Sequence, residues 1–503
     1  MEPDPTPAVQ ESPAKQPNHR FATLLFPPAG LVLLMQSRES ALQKLIGVTF
    51  IGFYSILYVG GLIFLAVKTE VLFVEWPGSG LPTLTHRLAV TDYDSLEQHR
   101  SQQVVASTNR NGGNYWTSFR GPRGDGEYAE QDLNLDWAAH PPKLLWKQPV
   151  GGGYSSFVIA AGMAYTLEQR REEEALVAYD VNTGTELWAN TWKAEFQQPP
   201  NLGGLGPRST PVWHEGKVYA LGALGELVCV NAVDGNTLWR TNALNESSTS
   251  VLQFACTASP LMVDDQLIVL TGHPAGKSGR GMVAYAPDTG ERLWASITEK
   301  VAYATPTPST LLGQKQLLVF SASHLIGIDE QTGKELWRFP WNVKYDNSIA
   351  QPVAISDHQV FISGGYGKGC ALLEFSREGE RWKVDQVWKN LFMKNKFTSS
   401  VFHDGHIYGL DETMLVCLEP NTGRKQWKEG RYGYGQIILT HGHIIVQCGN
   451  GDLALIKADP EEPVEIARIE ALGGKTWNQP ALADGRLLIR NHAKMACYDL
   501  RPE

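Results

Sequence analysis

A thirteen-residue pattern returns along this chain at a spacing that belongs to an array of like units. Residues 176–188 read LVAYDVNTGTELW, and the pattern recurs at 227–239 (LVCVNAVDGNTLW), 282–294 (MVAYAPDTGERLW), 325–337 (LIGIDEQTGKELW) and 415–427 (LVCLEPNTGRKQW). Each copy joins two short apolar runs through a turn that contains Gly, and the second run ends in Trp. Gly supplies the positive-φ residue that a tight connection between antiparallel strands needs, so each copy predicts a β-hairpin. A degenerate copy ends at Trp388, and another runs through residues 453–469 with Ile469 near the Trp position. Repeats at this period predict a toroid or a solenoid.

A second hairpin precedes each of the first. Its turns fall at Gly162, Gly216, Asp264-Asp265, Gly313, Asp357-His358, Gly405, Gly442 and Gly485, and each is followed by an alternating strand such as Lys217-Val218-Tyr219-Ala220-Leu221. Two hairpins make a four-stranded antiparallel propeller blade. The last unit, residues 481–500, stops after three strands, while Lys143-Leu144-Leu145-Trp146-Lys147 upstream has the look of an unclaimed outer strand. The expected fold is therefore all-β. It is an eight-bladed propeller over residues 143–500, whose last blade is completed by the N-terminal strand, and closure removes sheet edges that would otherwise invite aggregation.

The chain ahead of the propeller has a different character. Residues 1–20 are polar and Pro-rich, and residues 21–35 are apolar but too short to span a bilayer and broken by Pro27-Pro28. That segment is expected to lie at a membrane interface or to re-enter it. Residues 45–67 carry no charge over a length sufficient to cross the hydrocarbon core as a helix, between Lys44 and Lys68. The run starts too far from Met1, is too long, and lacks a small-residue cleavage site, so an uncleaved anchor is preferred to a signal peptide. Lys15, Arg20, Arg38 and Lys44 before it, against Lys68 and Arg87 after it, favour a cytoplasmic N-terminus and an exported propeller. The expected division is a cytoplasmic tail over 1–44, a transmembrane helix over 45–67, a linker over 68–142 and the propeller over 143–500. Within the linker, Tyr115-Trp116 and the run from Phe119 to Gly126 (FRGPRGDG) predict an ordered turn that docks on the propeller as a packing clasp.

A formal charge of −9 and the lack of a basic stripe argue against nucleic acid as a partner. The six Cys form no Cys-x-x-Cys, and Cys229, Cys417 and Cys497 share one place in the repeat, so they are expected to be small buried hydrophobes. His403/His406 and His441/His443 sit on hairpin turns and are expected to be structural. Asp180, Asp329 and Asp499 stand just before turns whose backbone N–H groups they can bind. Residues 170–174 (RREEE) are expected to be a solvated hairpin tip. Residues 272–281 carry a partial phosphate-loop look, but they join two strands instead of opening a helix.

Repeats of the form apolar-Tyr-Asp-x-x-Thr-Gly-x-x-Leu-Trp resemble those of pyrroloquinoline-quinone (PQQ) dehydrogenases and their non-enzymatic relatives, among them the propeller lipoprotein of outer-membrane β-barrel assembly. The likeness covers roughly residues 115–500, and the lead-in over residues 119–126 is similar to one that precedes many bacterial PQQ-like propellers. It implies an eight-bladed propeller outside the cytoplasm, and fold alone does not imply that a quinone is bound.

A quinone dehydrogenase of this kind needs a divalent cation, usually Ca²⁺, held by carboxylate and amide oxygens, a carboxylate base, and a cation beside the reduced cofactor. The family's alcohol dehydrogenases often add a disulfide between neighbouring Cys and a haem motif, and this chain has neither a Cys-Cys pair nor Cys-x-x-Cys-His. The connections from each outer strand to the next inner strand line one mouth of the ring. The cofactor-binding candidates there are Tyr154, Arg208, Tyr303, Asn347, Lys396, Tyr434 and Trp477, with Lys475 a further cation that faces an anionic ligand. Asp346 beside Asn347 is thin support for Ca²⁺, so no metal site is assigned and no catalytic residue is named. The expected function is that of a membrane-anchored, non-catalytic binding or scaffolding module of the bacterial envelope. It would be a single-pass inner-membrane protein with a periplasmic propeller and a protein partner, and no cofactor is expected. The alternative is a PQQ-dependent dehydrogenase of alcohols or sugars facing the periplasm, with PQQ and Ca²⁺ bound.

Overall fold

The computed structural model describes residues 19–69, 71–75, 83–86, 92–103, 113–199 and 202–502. The polar tail over 1–18 and much of the expected linker lie outside the described residues. The chain divides into two compact units, one over residues 1–74 and 84–88, the other over 75–83 and 89–503.

The first unit is mainly helical, with the paired strands Leu72–Glu75 and Thr83–His86 at its margin. His19–Leu25 and Pro27–Gln36 are separated by Phe26, whose backbone is extended, and Ala41–Lys68 follows. The long helix begins four residues before the uncharged run because Ser40 caps it. The Ser40 hydroxyl accepts from Gln43 N–H while the Gln43 side chain accepts from Ser40 N–H, a reciprocal pair that satisfies two end donors. Its 28 residues make it long and apolar enough to cross a membrane, and it is a candidate transmembrane helix.

The second unit is an eight-bladed propeller of four-stranded antiparallel blades. Blade 1 runs Val158–Ala160, Met163–Arg170, Glu173–Asp180 and Glu186–Lys193 from the inner strand outwards. Blades 2 to 7 open at the inner strands Val212–His214, Leu261–Val263, Thr307–Leu311, Val353–Ala354, Val401–His403 and Gln436–Thr440. Blade 8 takes its outer strand, Lys143–Pro149, from upstream, paired antiparallel with Lys494–Asp499 so that Trp146 faces Cys497.

The repeat explains how neighbouring blades hold each other. The outer-strand Trp of one blade lies over the turn Gly of the next, and at four junctions it donates its indole N–H to the carbonyl three residues before that Gly, whereas Trp294, over Gly333, donates to Gln266 Oε1. Trp146 bonds Val181 over Gly184, Trp188 bonds Ala232 over Gly235, Trp239 bonds Pro287 over Gly290, and Trp388 bonds Pro420 over Gly423, at 2.7–3.2 Å. A Cβ on Gly235 would stand 2.5 Å from the Trp188 ring, so Gly meets a space requirement as well as its φ of 71°. Across each outer pair the residue facing Trp is small where the repeat is most regular: Ala178, Cys229, Ala284, Gly327, Cys417 and Cys497. A bulge follows that residue in every blade. The three cysteines of the repeat are thus small side chains under an indole, and all six Cys are buried and free. The turn acids also behave as expected, with Asp180 Oδ1 accepting from the backbone of Asn182 and Thr183, both at 2.9 Å.

The segment carrying Phe119–Gly126 is built into the ring. Trp116 exchanges both backbone hydrogen bonds with Ile159 of blade 1, Thr117 accepts from Trp213 of blade 2, and Glu127–Tyr128 adds a parallel strand to blade 7. Between these anchors Arg120 reaches Ser400 of blade 6 at 2.9 Å, so the chain crosses the central channel. Trp116, Tyr128 and Trp137 join the core cluster of blades 7, 8 and 1, where the ring closes. The same seam holds a buried charge network. Arg490 of blade 8 donates to Gly151, Thr166 and Leu167, and Glu168 accepts from Tyr179, Arg170 and Gly151 N–H. Burial alone would raise the Glu168 carboxyl, but the guanidinium groups of Arg170 and Arg490 and these donors hold it below its ordinary value.

Candidate functional site

Each of the eight connections from an outer strand to the next inner strand delivers an aromatic or cationic side chain to one mouth of the ring. These segments bend sharply between blades, and several residues in them, Ala255, Ile297, Tyr345 and Asp346, take positive φ. Tyr154 stacks on Trp477 with centroids 5.5 Å apart, and Trp477 packs against Phe397 at 4.6 Å. Phe397 meets Tyr434 edge-on at 5.5 Å. On the other side of Tyr154, the Arg208 guanidinium stands 5.6 Å from the Tyr154 ring centre and 5.8 Å from that of Phe254, which meets Tyr303 edge-on. The Lys396 ammonium lies 4.1 Å from the Tyr434 centroid and 5.1 Å from that of Tyr366, and Tyr366 meets Tyr345 at 5.7 Å. Lys475 stands 4.8 Å over Trp477. The belt therefore runs from Tyr303 through Phe254, Arg208, Tyr154, Trp477, Phe397, Tyr434, Lys396 and Tyr366 to Tyr345.

The structure brings all seven sequence candidates into this belt. Tyr154, Arg208, Tyr303, Lys396, Tyr434 and Trp477 belong to its contacts, and Asn347 lies beside Tyr366, where its amide counters the rise that burial imposes on the Tyr366 hydroxyl. Sequence reasoning does not single out Phe254, Phe397 and Tyr345, which come from the same connections. It missed Tyr366, which comes from a hairpin inside blade 5, and Phe196, over which Arg208 also stands at 5.5 Å. An aromatic beside glycines in that hairpin, Gly364-Gly365-Tyr366-Gly367, was the available signal.

The electrostatics of the mouth are cationic over rings. Burial holds the Arg208 guanidinium below its ordinary value and pushes the Tyr303 hydroxyl up to about 12, so that ring is neutral near pH 7. Arg208 makes only long hydrogen bonds, 3.4–3.5 Å, to the carbonyls of Leu202 and Gly204. Ring faces carry negative charge density, which is why the cations stack on them. Asp346, in the connection into blade 5, pairs with Lys300 at 2.9 Å, and Glu299, in the connection before it, stands 3.7 Å from Arg338.

A calcium ion needs six to eight oxygens, several of them carboxylate. Among the described residues no group of three or more His, Cys, Asp or Glu is placed to hold a metal ion. The donor set at the mouth does not fit the quinone–calcium pair that the alternative requires. The histidine pairs are also accounted for by turns: His406 Nδ1 lies 3.0 Å from the Asp404 carbonyl, and His443 Nδ1 lies 2.8 Å from that of His441.

The charged run over residues 170–174 is solvated at its tip, residues 171–173, but buried at Glu174. At the tip Arg171 pairs with Asp94 and Glu97 of the helix Tyr93–Ser101. Arg170 turns inward to Glu168 and Glu186. Glu174 is fully buried, accepting from Ala223 N–H at 3.0 Å and Trp192 Nε1 at 3.1 Å. Strand alternation puts one face of this hairpin inside the protein, and the blade 2 loop at Gly222-Ala223 covers Glu174. A single sequence does not show such a covering loop.

Comparison with known proteins agrees with the repeat. A family profile described as outer membrane protein assembly factor BamB matches residues 172–429, just over half of the chain. The chain is 22% identical over 361 residues to the outer membrane protein assembly factor BamB of Burkholderia pseudomallei (strain K96243), which spans 69% of this chain and 84% of that protein. It is 26% identical over 158 residues to the BamB of Shewanella oneidensis, covering 30% of this chain and 36% of that one. Among solved structures, quinohemoprotein alcohol dehydrogenase from Comamonas testosteroni aligns with a TM-score of 0.55 at 13% identity, over 82% of this chain and 86% of its own. BamB from Moraxella catarrhalis aligns with a TM-score of 0.49 at 13% identity, over 71% and 100%. At these identities the structural likenesses show the fold alone.

Proposed function

The chain belongs to the family of the outer membrane protein assembly factor BamB, and from that membership we propose that it is a non-catalytic protein-binding module of the bacterial envelope. It is held at the inner membrane by the helix Ala41–Lys68, with the propeller on the periplasmic side. The observation that carries the reading is the chemistry of the mouth. Its cations stand over aromatic rings, and among the described residues no group of three or more His, Cys, Asp or Glu is placed to form the oxygen cage that a quinone's calcium needs. The names of the curated relatives, outer membrane protein assembly factors, point to work on other proteins. The basic residues Arg20, Arg38 and Lys44 ahead of the helix support a cytoplasmic N-terminus.

Calorimetric titration of the detergent-solubilised full chain with PQQ and Ca²⁺, with the melting temperature followed in parallel, tests this. The expected result is neither a saturable heat nor a rise in the melt, since a ligand that binds only the folded state must stabilise it by mass action. A saturable heat with a rising melt would replace this reading with that of a periplasmic dehydrogenase of alcohols or sugars.

A further inference from the structure

The apolar stretch ahead of the long helix doubles back on itself. His19–Leu25 and Pro27–Gln36 are joined at Phe26, and a Cβ on Gly30 would lie 2.6 Å from the Thr23 Cα, so the two backbones approach closely. Pro27–Gln36 packs in turn on Ala41–Lys68, where Gly47 leaves room for Leu34, whose side chain a Cβ would meet at 2.5 Å. Small residues at such contacts are the usual means by which helices pack in lipid. Yet Leu24, Leu25, Phe26, Val32 and Met35 remain more than half exposed.

The tip of this hairpin keeps its backbone groups bonded without water. The end of a helix normally leaves four carbonyls and four N–H groups unsatisfied. Here Ala22 O accepts from Phe26 N–H at 2.7 Å, Leu24 O from the Tyr54 hydroxyl at 3.2 Å, and Leu25 O from the Tyr58 hydroxyl at 3.1 Å. On the returning side, Pro27 and Pro28 have no N–H to satisfy, and Ala29 and Gly30 donate to Phe26 O. At the base, Lys44 Nζ binds Met35 O and Ser37 binds Leu34 O through both its N–H and its hydroxyl. Arg20, Arg38, Glu39 and Lys44 flank the apolar stretch in sequence, and residues 21–35 hold no charge.

We propose that residues 19–36 form a re-entrant helical hairpin. It enters the cytoplasmic leaflet beside the spanning helix and turns back at Phe26-Pro27-Pro28, with lipid acyl chains covering its exposed apolar face. This rests on the reading of Ala41–Lys68 as a membrane span. The depth follows from the tyrosines. Tyr54 and Tyr58 stand ten and fourteen residues beyond Lys44, about 15 and 21 Å along a helix axis, which is roughly half to two thirds of a hydrocarbon core of about 30 Å. A polar backbone at that depth is tolerated only when its groups are bonded internally, and the two tyrosines supply the acceptors' partners. Tyr54 and Tyr58 are therefore positioning residues for the tip.

Single cysteines test the arrangement in membrane vesicles of both orientations, with a membrane-impermeant sulfonated maleimide as probe; the six native Cys are buried and give no background. Arg38→Cys should react from the cytoplasmic side alone and Val71→Cys from the opposite side alone. Phe26→Cys and Val32→Cys should react at least about tenfold more slowly from either side until detergent is added, because the reactive thiolate does not form in hydrocarbon. Reaction of Phe26→Cys from the cytoplasmic side as fast as Arg38→Cys would place the segment on the surface and overturn the hairpin while leaving the span intact. Reaction of Phe26→Cys from the Val71 side would overturn it by showing passage through the bilayer. Reaction of Arg38→Cys and Val71→Cys from the same side would overturn the span itself. Adding Tyr54→Phe and Tyr58→Phe should raise labelling of Phe26→Cys several-fold and leave that of Arg38→Cys unchanged; equal labelling would remove the tyrosines from the role assigned to them.

Discussion

Glu174 has its carboxyl out of water, with two N–H donors and no cation against it, and burial pushes its pKa to about 7 from an ordinary 4.5. The folded chain then binds this proton more tightly than the unfolded chain does. The stability that follows is complete below the unfolded value, near 4.5, and is lost as pH rises through about 7. Glu174→Gln can keep an oxygen at the Oε2 position, which accepts from both Ala223 N–H and Trp192 Nε1, and removes the charge. The two proteins should melt together near pH 4.5, and the variant should gain on the parent as pH rises. Above pH 7.5 the gain should reach up to roughly 3 kcal/mol, the full difference between the two pKa values. Unfolding curves of both proteins across that range check the claim, and a variant with no advantage above pH 7.5 would mean that the ionised carboxylate is well solvated. This residue was hidden in the sequence. A run of Arg and Glu at a hairpin reads as solvated until the loop that covers it is known, and Gly222-Ala223 lies about fifty positions away. Asp180, by contrast, was legible, because its hydrogen-bonding partners are its own neighbours.

At the scale of the blade, the Gly of each repeat meets two separate demands, a positive φ and room for the indole of the preceding blade. Two substitutions separate them. Gly216 has a φ of 75° with open space where a Cβ would stand, whereas Gly235 has a φ of 71° with the Trp188 ring 2.5 Å from that point. Gly216→Ala should cost about 1 kcal/mol, the strain of a left-handed conformation alone. Gly235→Ala should cost roughly 2 kcal/mol more, because the indole must shift and its bond to Ala232 lengthens. Denaturation midpoints of the two variants measure the difference, and equal losses would show that the indole yields freely. The blades were legible because both demands recur in sequence at a fixed period. The N-terminal strand was legible for the complementary reason, that the last unit was one strand short and Lys143-Leu144-Leu145-Trp146 was one strand too many. The hold on blades 5 and 7 was not, since the blade 7 hairpin lacks the Gly and Gly379 of blade 5 has no indole over it. Trp337 there bonds Gln316 at 2.7 Å and packs on Phe375, while Trp427 reaches the Asp459 carbonyl at 2.9 Å.

For the whole molecule, the belt at the mouth and the outer rim offer different surfaces. The belt was partly legible, because aromatic and basic residues recur between blades. Its continuity was not, since Tyr366 and Phe196 enter from other parts of the fold. On the proposed reading as a protein-binding module, the rim offers a partner apolar surface. Leu238 of blade 2 and Leu293 of blade 3 precede the docking Trp of adjacent blades and are 50% and 51% exposed, whereas the corresponding Leu187 and Leu336 are partly covered. Outer strands of a propeller also leave one backbone edge unpaired, and an apolar side chain beside such an edge invites an added strand or loop. A photo-cross-linking residue at 238 or 293 should therefore give one discrete protein adduct in intact cells. The same residue at Lys383, on the charged outer strand of blade 5, should give none. Leu293→Glu should remove the adduct formed from position 238 without lowering the melting temperature, because the side chain it replaces is half in water already. Adducts that form equally from 238 and 383, or that survive Leu293→Glu, would move the partner off blades 2 and 3. The cationic belt at the mouth would then be the surface left to hold it.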